Sequence, residues 1–323
     1  MREATTAAYF SDRTCFLTRT SERSEMAEWL PQVVVSPELA LELVREQFPG
    51  LGRTIEPFGS GWDNTAYLVD GDIVFRFPRR EMAVPFIARE VHVLPALAPR
   101  LPLPVPVPRW AGAPTDRFRW PFAGYRRLPG RTTDAAVLSS AERRAAAPVL
   151  AEFLRALHAI PLDGLDLPGD ELARTDFVRR GPLLLERLQG LEEAGLIADQ
   201  RPWERLFEVD FPGPPPHAVP VHGDLYERHV LVDDANRISG VIDWGDVHAG
   251  DPALDLSFLY RFFPADQRDG FLRVYGPVDA RTAGLARLRA AFHAITVAFF
   301  AHSTGDEPLL RASLAGMRNV LED

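Results

Sequence analysis

"VHGDLYERHVLVDDANRISGVIDWGD", residues 221–246, gathers several ionisable groups around two short apolar runs. His222-Gly223-Asp224 leads into a loop, and an alternating run follows from His229 to Val232. "DDANR" then supplies turn residues, and "ISGVID" resumes the apolar pattern until Asp243-Trp244-Gly245. Two short β runs joined by a turn form an antiparallel hairpin, which sets the start of the first beside the end of the second. His229 and Asp243 are therefore expected side by side, with Asp224 on the loop entering the hairpin.

This grouping suits phosphoryl transfer. One carboxylate orients or deprotonates an acceptor hydroxyl, while other ligands hold magnesium against a triphosphate. Magnesium is a hard ion that prefers carboxylate oxygen, so Asp243 is the natural ligand and His229 the unusual one. Two other readings of the same residues are an acidic hairpin without catalysis and a hydrolytic metal centre made of His222, Asp224, His229 and Asp243. Just downstream, "GDPALDLSFLY" (250–260) opens an apolar helix.

Working outward toward the N-terminus, residues 54–78 read as strand, turn, strand, turn, strand. "TIEPFG" and "TAYLVD" flank "SGWDN", and "DIVFRFP" follows an Asp-Gly turn at 70–71. A helix is expected over "PFIAREVHVLPALA", followed by a proline-rich extended connector or edge strand, "PRLPLPVPVPRW". "FAGYRRLPG" (122–130) reads as a strand leaving into a turn. Ser36 before Pro37 is an N-cap signal for a helix carrying Leu39, Leu41, Leu43 and Val44. Beyond residue 128 the chain is mostly helical, with an apolar face at 150, 153, 154 and 157 in "AERRAAAPVLAEFLRALHAI". The expected organisation is an α+β, two-lobed chain. Residues 1–25 are disordered or precede the native start at Met26, 26–128 form a β-rich N-lobe, and 129–323 form a helical C-lobe.

The joint pattern of Asp224, His229 after four intervening residues, Asp243-Trp244-Gly245 after 13 more, and "GDPALDLS" resembles the aminoglycoside phosphotransferase family, which has a protein-kinase-like fold. Histidine at 229, where that family usually has asparagine, is similar to the macrolide phosphotransferases and the 2''-aminoglycoside phosphotransferases. These branches often prefer GTP, so the donor is ATP or GTP. The resemblance implies that Asp224 is the catalytic base and that His229 and Asp243 hold Mg2+. It makes residues 26–128 the nucleotide-binding lobe and 129–323 the catalytic and acceptor-binding lobe. It also implies that Gly59, Ser60 and Gly61 cover the nucleotide, with Ser60 at the tip, where glycine lets backbone approach phosphate. Arg76 takes the place of the strand lysine that contacts phosphates, paired with Glu90, or with Glu81 as second choice. Arg126, Arg127 and Leu128 would form the hinge against the base, with Tyr125 or Phe122 packed beside it. Asp255 would brace the catalytic loop. Arg79 and Arg80 are expected to face solvent, with phosphate contact as the alternative, His158 and His293 to be packing histidines, Asp251 to start a helix, and His248 to be a candidate for the acceptor site. Asp246 stands near enough to Asp243 to serve the metal or only the loop.

Composition limits the alternatives. All 36 basic residues are arginine, so any role that usually needs lysine falls to arginine. Residues 26–133 hold 13 Arg against 11 acids, net +2, whereas 134–323 hold 19 against 30, net −11. An acidic C-terminal part argues against nucleic acid as partner, since nucleic acid selects basic surfaces. The C-terminal apolar run "AAFHAITVAFFA" suits a buried helix and is too short to span a bilayer. The N-terminus lacks the apolar core of a signal peptide, and Cys15 is a lone cysteine. A cytoplasmic protein, monomer or weak dimer, is expected, with a nucleoside triphosphate and a small hydroxyl-bearing molecule as its partners and no membrane. The acidic C-lobe favours an amine-bearing antibiotic and the apolar helix a bulky one such as a macrolide. A housekeeping sugar, choline or homoserine kinase, or a catalytically dead relative, are the other possibilities.

Overall fold

A computed structural model describes residues 31–209, 213, 215 and 217–322. The expectations for residues 1–25 and for Met26 lie outside the described residues. The first described helix, α1 (Pro37–Gln47), starts where the sequence signals it. Ser36 caps it, its hydroxyl accepting from Leu39 N at 3.2 Å, and Pro37 occupies the first turn. Ala40, Leu43 and Val44 are its buried face.

Strands β1 (Ile55–Ser60), β2 (Asn64–Val69) and β3 (Ile73–Pro78) form a meander. With β4 (Pro108–Gly112) and β5 (Phe122–Arg126) they make a five-stranded antiparallel sheet in the order β1-β2-β3-β5-β4. The proline-rich run thus ends in an edge strand, where a missing N–H costs least. Asp70 and Gly71 both take left-handed backbone in the β2–β3 turn. Aromatic side chains fill the N-lobe core, with Phe77 stacked on Phe122 at 4.7 Å and Phe118 against both. Helix α2 (Val84–Leu97) closes the lobe and carries Glu90 fully buried.

From residue 133 the chain is mainly helical. Helix α3 (Ser140–His158) opens with a reciprocal Ser139–Glu142 capping box. The C-lobe continues with α4 (Phe177–Glu193), α5 (Ala253–Phe262), α6 (Arg268–Tyr275), α7 (Ala280–Thr304) and α8 (Glu307–Leu321). Strands β6 (Arg131–Thr132), β8 (Val230–Val232) and β9 (Ile238–Val241) form one small sheet; β7 (Val219–Val221) and β10 (His248–Gly250) form another. The proline-rich run before β4 is pinned to β9, because Val241 N donates to Pro104 O at 3.0 Å.

The apolar C-terminal run is longer in structure than in sequence: it belongs to a helix of 25 residues, long and apolar enough to cross a membrane. Of its most apolar window, 67% is buried within the protein, the position of a core helix. Leu285, Ala290, Ala294, Ile295 and Ala298 on α7 join a single C-lobe core with Phe153, Phe258 and Trp244.

Candidate active site

The hairpin forms as the sequence implies. β8 and β9 pair antiparallel, and Ile242 N donates to His229 O at 2.9 Å, extending the ladder to the site. His229 Nε2 then lies 3.4 Å from Asp243 Oδ2. Asp243 leaves the strand with φ +64, a left-handed bend unusual for a residue with a side chain. The buried Trp244 behind it holds the turn, its indole N–H donating to Val241 O at 3.1 Å.

The loop before the hairpin is fastened from below. Asp255 accepts from His222 N at 2.8 Å and Gly223 N at 2.9 Å, and His158 Nε2 lies 3.1 Å away. His158 is therefore part of the brace, with Tyr275 at its other nitrogen. Gly223 has φ +83, and a Cβ there would stand 2.5 Å from Asp246 O, so the loop needs glycine at this point. His229 Nδ1 lies 2.8 Å from Asp224 O. A carbonyl only accepts, so Nδ1 carries a proton, and Nε2 is the nitrogen that faces Asp243.

Arg76 crosses from the N-lobe to this hairpin. It donates to Glu90 Oε1 at 2.7 Å and to Asp243 Oδ1 at 2.6 Å. Tyr125 donates to the other Glu90 oxygen. Glu90, the first choice from sequence, is thus the helix partner. Burial pushes the Asp243 carboxyl up, but Arg76 and His229 outweigh it and hold it at about 2. Burial drives Glu90 upward, opposed by Arg76.

The loop from Gly59 to Gly61 lies exposed above. Arg79, expected in solvent, instead ties it, donating to Ser60 Oγ at 2.8 Å and Gly61 O at 2.7 Å. Arg80 also departs from expectation: it is 7% exposed and paired with Asp63. At the hinge, Arg127 N donates to Asp72 O at 2.8 Å, Arg126 pairs with Asp72, and Leu128 flanks Gly240. Phe122 lies in the N-lobe core and Tyr125 is committed to Glu90, so both are placed by the lobe's own packing. His248 is buried, its Nδ1 against Asp246 O at 2.7 Å, beneath the loop rather than in an open cleft. Asp251 accepts from Ala253 N at 3.0 Å at the start of α5, as expected, and also pairs with Arg281.

Three residues around Asp224 were not foreseen. Arg174 Nη1 lies 3.2 Å from Asp224 Oδ1, and its other terminal nitrogen pairs with Asp246. Arg289 Nη2 is 3.6 Å and His293 Nε2 3.5 Å from the same oxygen. The packing role expected of His293 thus gives way to a place at the site. The available signal was Arg289 and His293 spaced four apart in an apolar helix, which puts both on one face. Burial, with Arg174 as the next cause, lowers the Arg289 guanidinium to about 9. Burial and Arg289 together hold His293 well below the usual imidazole range.

The sequence profile of the phosphotransferase enzyme family matches residues 54–291, from β1 to the middle of α7. The chain belongs to this family. Viomycin phosphotransferase of Streptomyces vinaceus is 31% identical over 256 residues, 75% of this phosphotransferase and 85% of that protein. An aminoglycoside 3'-phosphotransferase of Streptomyces fradiae is 32% identical over 171 residues, 49% and 61% of the two chains. Among solved structures, the GDP complex of wild-type aminoglycoside 2'-phosphotransferase-IIIa superposes with a TM-score of 0.63 at 22% identity, covering 88% of this chain and 98% of that one. A macrolide 2'-phosphotransferase from Brachybacterium faecium gives 0.55 at 24% identity, covering 87% and 97%. The two-lobed kinase-like fold expected from the motifs is the fold of this family, and the enzyme is a kinase-type transferase.

Among the described residues no three His, Cys, Asp or Glu side chains converge as a metal site. Two donors do meet, His229 Nε2 and Asp243 Oδ2. Such a pair fits magnesium, which keeps several waters and takes substrate phosphate oxygens besides one or two protein ligands.

Proposed function

We propose that this phosphotransferase moves the γ-phosphoryl group of ATP or GTP, with Mg2+, to a hydroxyl of a small, antibiotic-like molecule. The observation that carries this reading is the convergence of Asp224, His229, Asp243 and Arg76, drawn from both lobes onto one cleft. Asp224 keeps 21% of its side chain open to that cleft and Asp243 keeps 41%. The relatives named above act on antibiotics, which makes antibiotics the first acceptors to test.

Asp224 accepts the proton of the attacking hydroxyl. The hydroxyl oxygen bonds to the γ-phosphorus, the bond to the β-phosphate bridging oxygen breaks, and the nucleoside diphosphate leaves with that electron pair. His229 and Asp243 would hold magnesium, which neutralises phosphate charge when bound. Arg76, steadied by Glu90, supplies a fixed cation at the phosphates. Gly59 and Gly61 would meet no protein atom if given a Cβ, and neither has a left-handed φ. Their own fold does not require glycine, which favours close approach by an outside group such as phosphate. The hinge backbone at Arg126 to Leu128 would hold the base. We place the lobe boundary at residue 128 and the enzyme in the cytoplasm, acting as a monomer or weak dimer without nucleic acid or membrane as partner.

Asp224→Ala is the direct test. Diphosphate release in the presence of acceptor should fall about 10²–10⁴-fold, while Mg·nucleotide still raises the melting temperature. Retained turnover would remove Asp224 from its role.

A further inference from the structure

The two carboxylate oxygens of Asp224 face different surroundings. Oδ2 lies 3.9 Å from His229 Nδ1, on the side of the metal pair. Oδ1 has Arg174, Arg289 and His293 within 3.6 Å. The two arginines come from two directions, Arg174 from the segment before α4 and Arg289, with His293, from α7.

Arg289 is 3% exposed, and its one polar partner among the described residues is Asp224, at a distance too long for a hydrogen bond. Burial first, then the guanidinium groups of Arg174, Arg180 and Arg261 against the carboxylate of Asp224, lower its affinity for its own proton, although Arg261 is itself paired with Glu227. Arg180 donates its Nε and Nη2 hydrogens to the carbonyls of Ala173 and Leu172, which leaves its charge without a carboxylate contact. Arg174 is spent on Asp224 and Asp246. A buried guanidinium with so little compensation is costly unless something else meets it. When Asp224 takes a proton from the acceptor, even its compensation is withdrawn.

We propose that Arg289, with Arg180 behind it, forms an oxyanion subsite, and that the acceptor carries a carboxylate or phosphate near its reacting hydroxyl. This rests on the phosphotransferase reading above and narrows its acceptor. The overall negative charge of the C-lobe does not bear on the point, because a few buried cations set the potential within a low-dielectric pocket. A polycationic acceptor would place amines against guanidinium groups, whereas an anionic one completes the pairs.

Matched sugars test the charge alone. With the donor site filled by Mg·AMPPNP on the full chain, calorimetry compares glucuronate, glucose and glucosamine. The same three are then offered with Mg·ATP or Mg·GTP as acceptors. Glucuronate should bind at least about tenfold more tightly than glucose, and glucosamine least. Arg289→Met should erase the order, Arg289→Lys should retain it, and Arg289→Glu should favour glucosamine. Glucuronate binding no better than glucose, including no binding of either, overturns the proposal. A loss of Mg·AMPPNP affinity in Arg289→Met that exceeds the loss for glucuronate also overturns it, since the cation would then serve the donor's phosphates. Absence of any magnesium-dependent nucleotide binding in the wild type would instead remove the phosphotransferase reading itself.

Discussion

On one side of the cleft a single guanidinium, Arg76, sits between the carboxylates of Glu90 and Asp243. On the other side a single carboxylate, Asp224, sits among Arg174, Arg289 and His293. The first arrangement is closed: every charge has a partner at hydrogen-bond distance, and the excess is negative. It is prepared for a cation that brings a polyanion with it. The second is open, because Arg289 only approaches its partner, while Arg174 is shared between Asp224 and Asp246. Two halves of one reaction are thus separated by charge as well as by position.

The largest expected effect attacks the closed half. Asp243→Asn removes the carboxylate shared by Arg76 and His229. Magnesium-dependent diphosphate release should fall about 10³-fold, the scale of removing one preorganised charge at a phosphoryl centre. Turnover within tenfold of wild type would show that Asp243 serves only to anchor Arg76. Glu90→Gln strikes the same half through stability. Glu90 is fully buried against Arg76, and breaking a buried pair leaves an uncompensated charge. Denaturant unfolding should register a loss of about 3 kcal/mol. A loss under 1 kcal/mol would mean that Asp243 alone suffices for Arg76.

The halves also differ in how far the sequence reveals them. His229, Asp243 and Asp224 lie within one loop and hairpin, and a period-two pattern with a turn fixes their neighbours. Arg76 and Glu90 follow from a strand and the helix after it. The other half is assembled from Arg174, in an irregular segment, and from α7, which lies more than a hundred residues beyond. No local period connects such positions; only tertiary packing brings them to Asp224. Arg80 was misread for a related reason. Arg79-Arg80 directly after a strand looks solvent-facing in sequence, but Asp63 in the turn between β1 and β2 supplies a partner that makes burial of Arg80 possible.

A smaller effect distinguishes the halves by pH. His293 is held neutral by burial and by Arg289, so its folded value lies below the unfolded value near 6.5. Between those two values the unfolded chain binds the extra proton. Stability from this source is therefore complete above about pH 6.5 and declines as the pH falls below it. His222, buried and also lowered, acts in the same direction. The melting temperature should fall between pH 7 and pH 5.5, and His293→Gln should flatten that fall without removing it. Parallel profiles for wild type and variant would show that His293 is not the titrating group.

The smallest expected effect tests an aromatic contact between the loop after β1 and α7. Trp62, in the turn between β1 and β2, lies edge-on to Phe300 of α7 with ring centroids 4.7 Å apart. Phe300 is eleven positions beyond Arg289, three helical turns along the same face, so the helix that carries the acceptor-side cation also receives the donor-side loop. A pair of this geometry contributes about 1 kcal/mol beyond its buried area. If the contact holds the loop down over bound nucleotide, Trp62→Ala should raise the KM for nucleotide about fivefold and leave kcat near wild type, as expected for uniform binding. Phe300→Ala should do the same, and the double variant should add little, because both remove one contact. An additive double variant would mean that loop and helix act separately and that the two halves communicate only through Asp224.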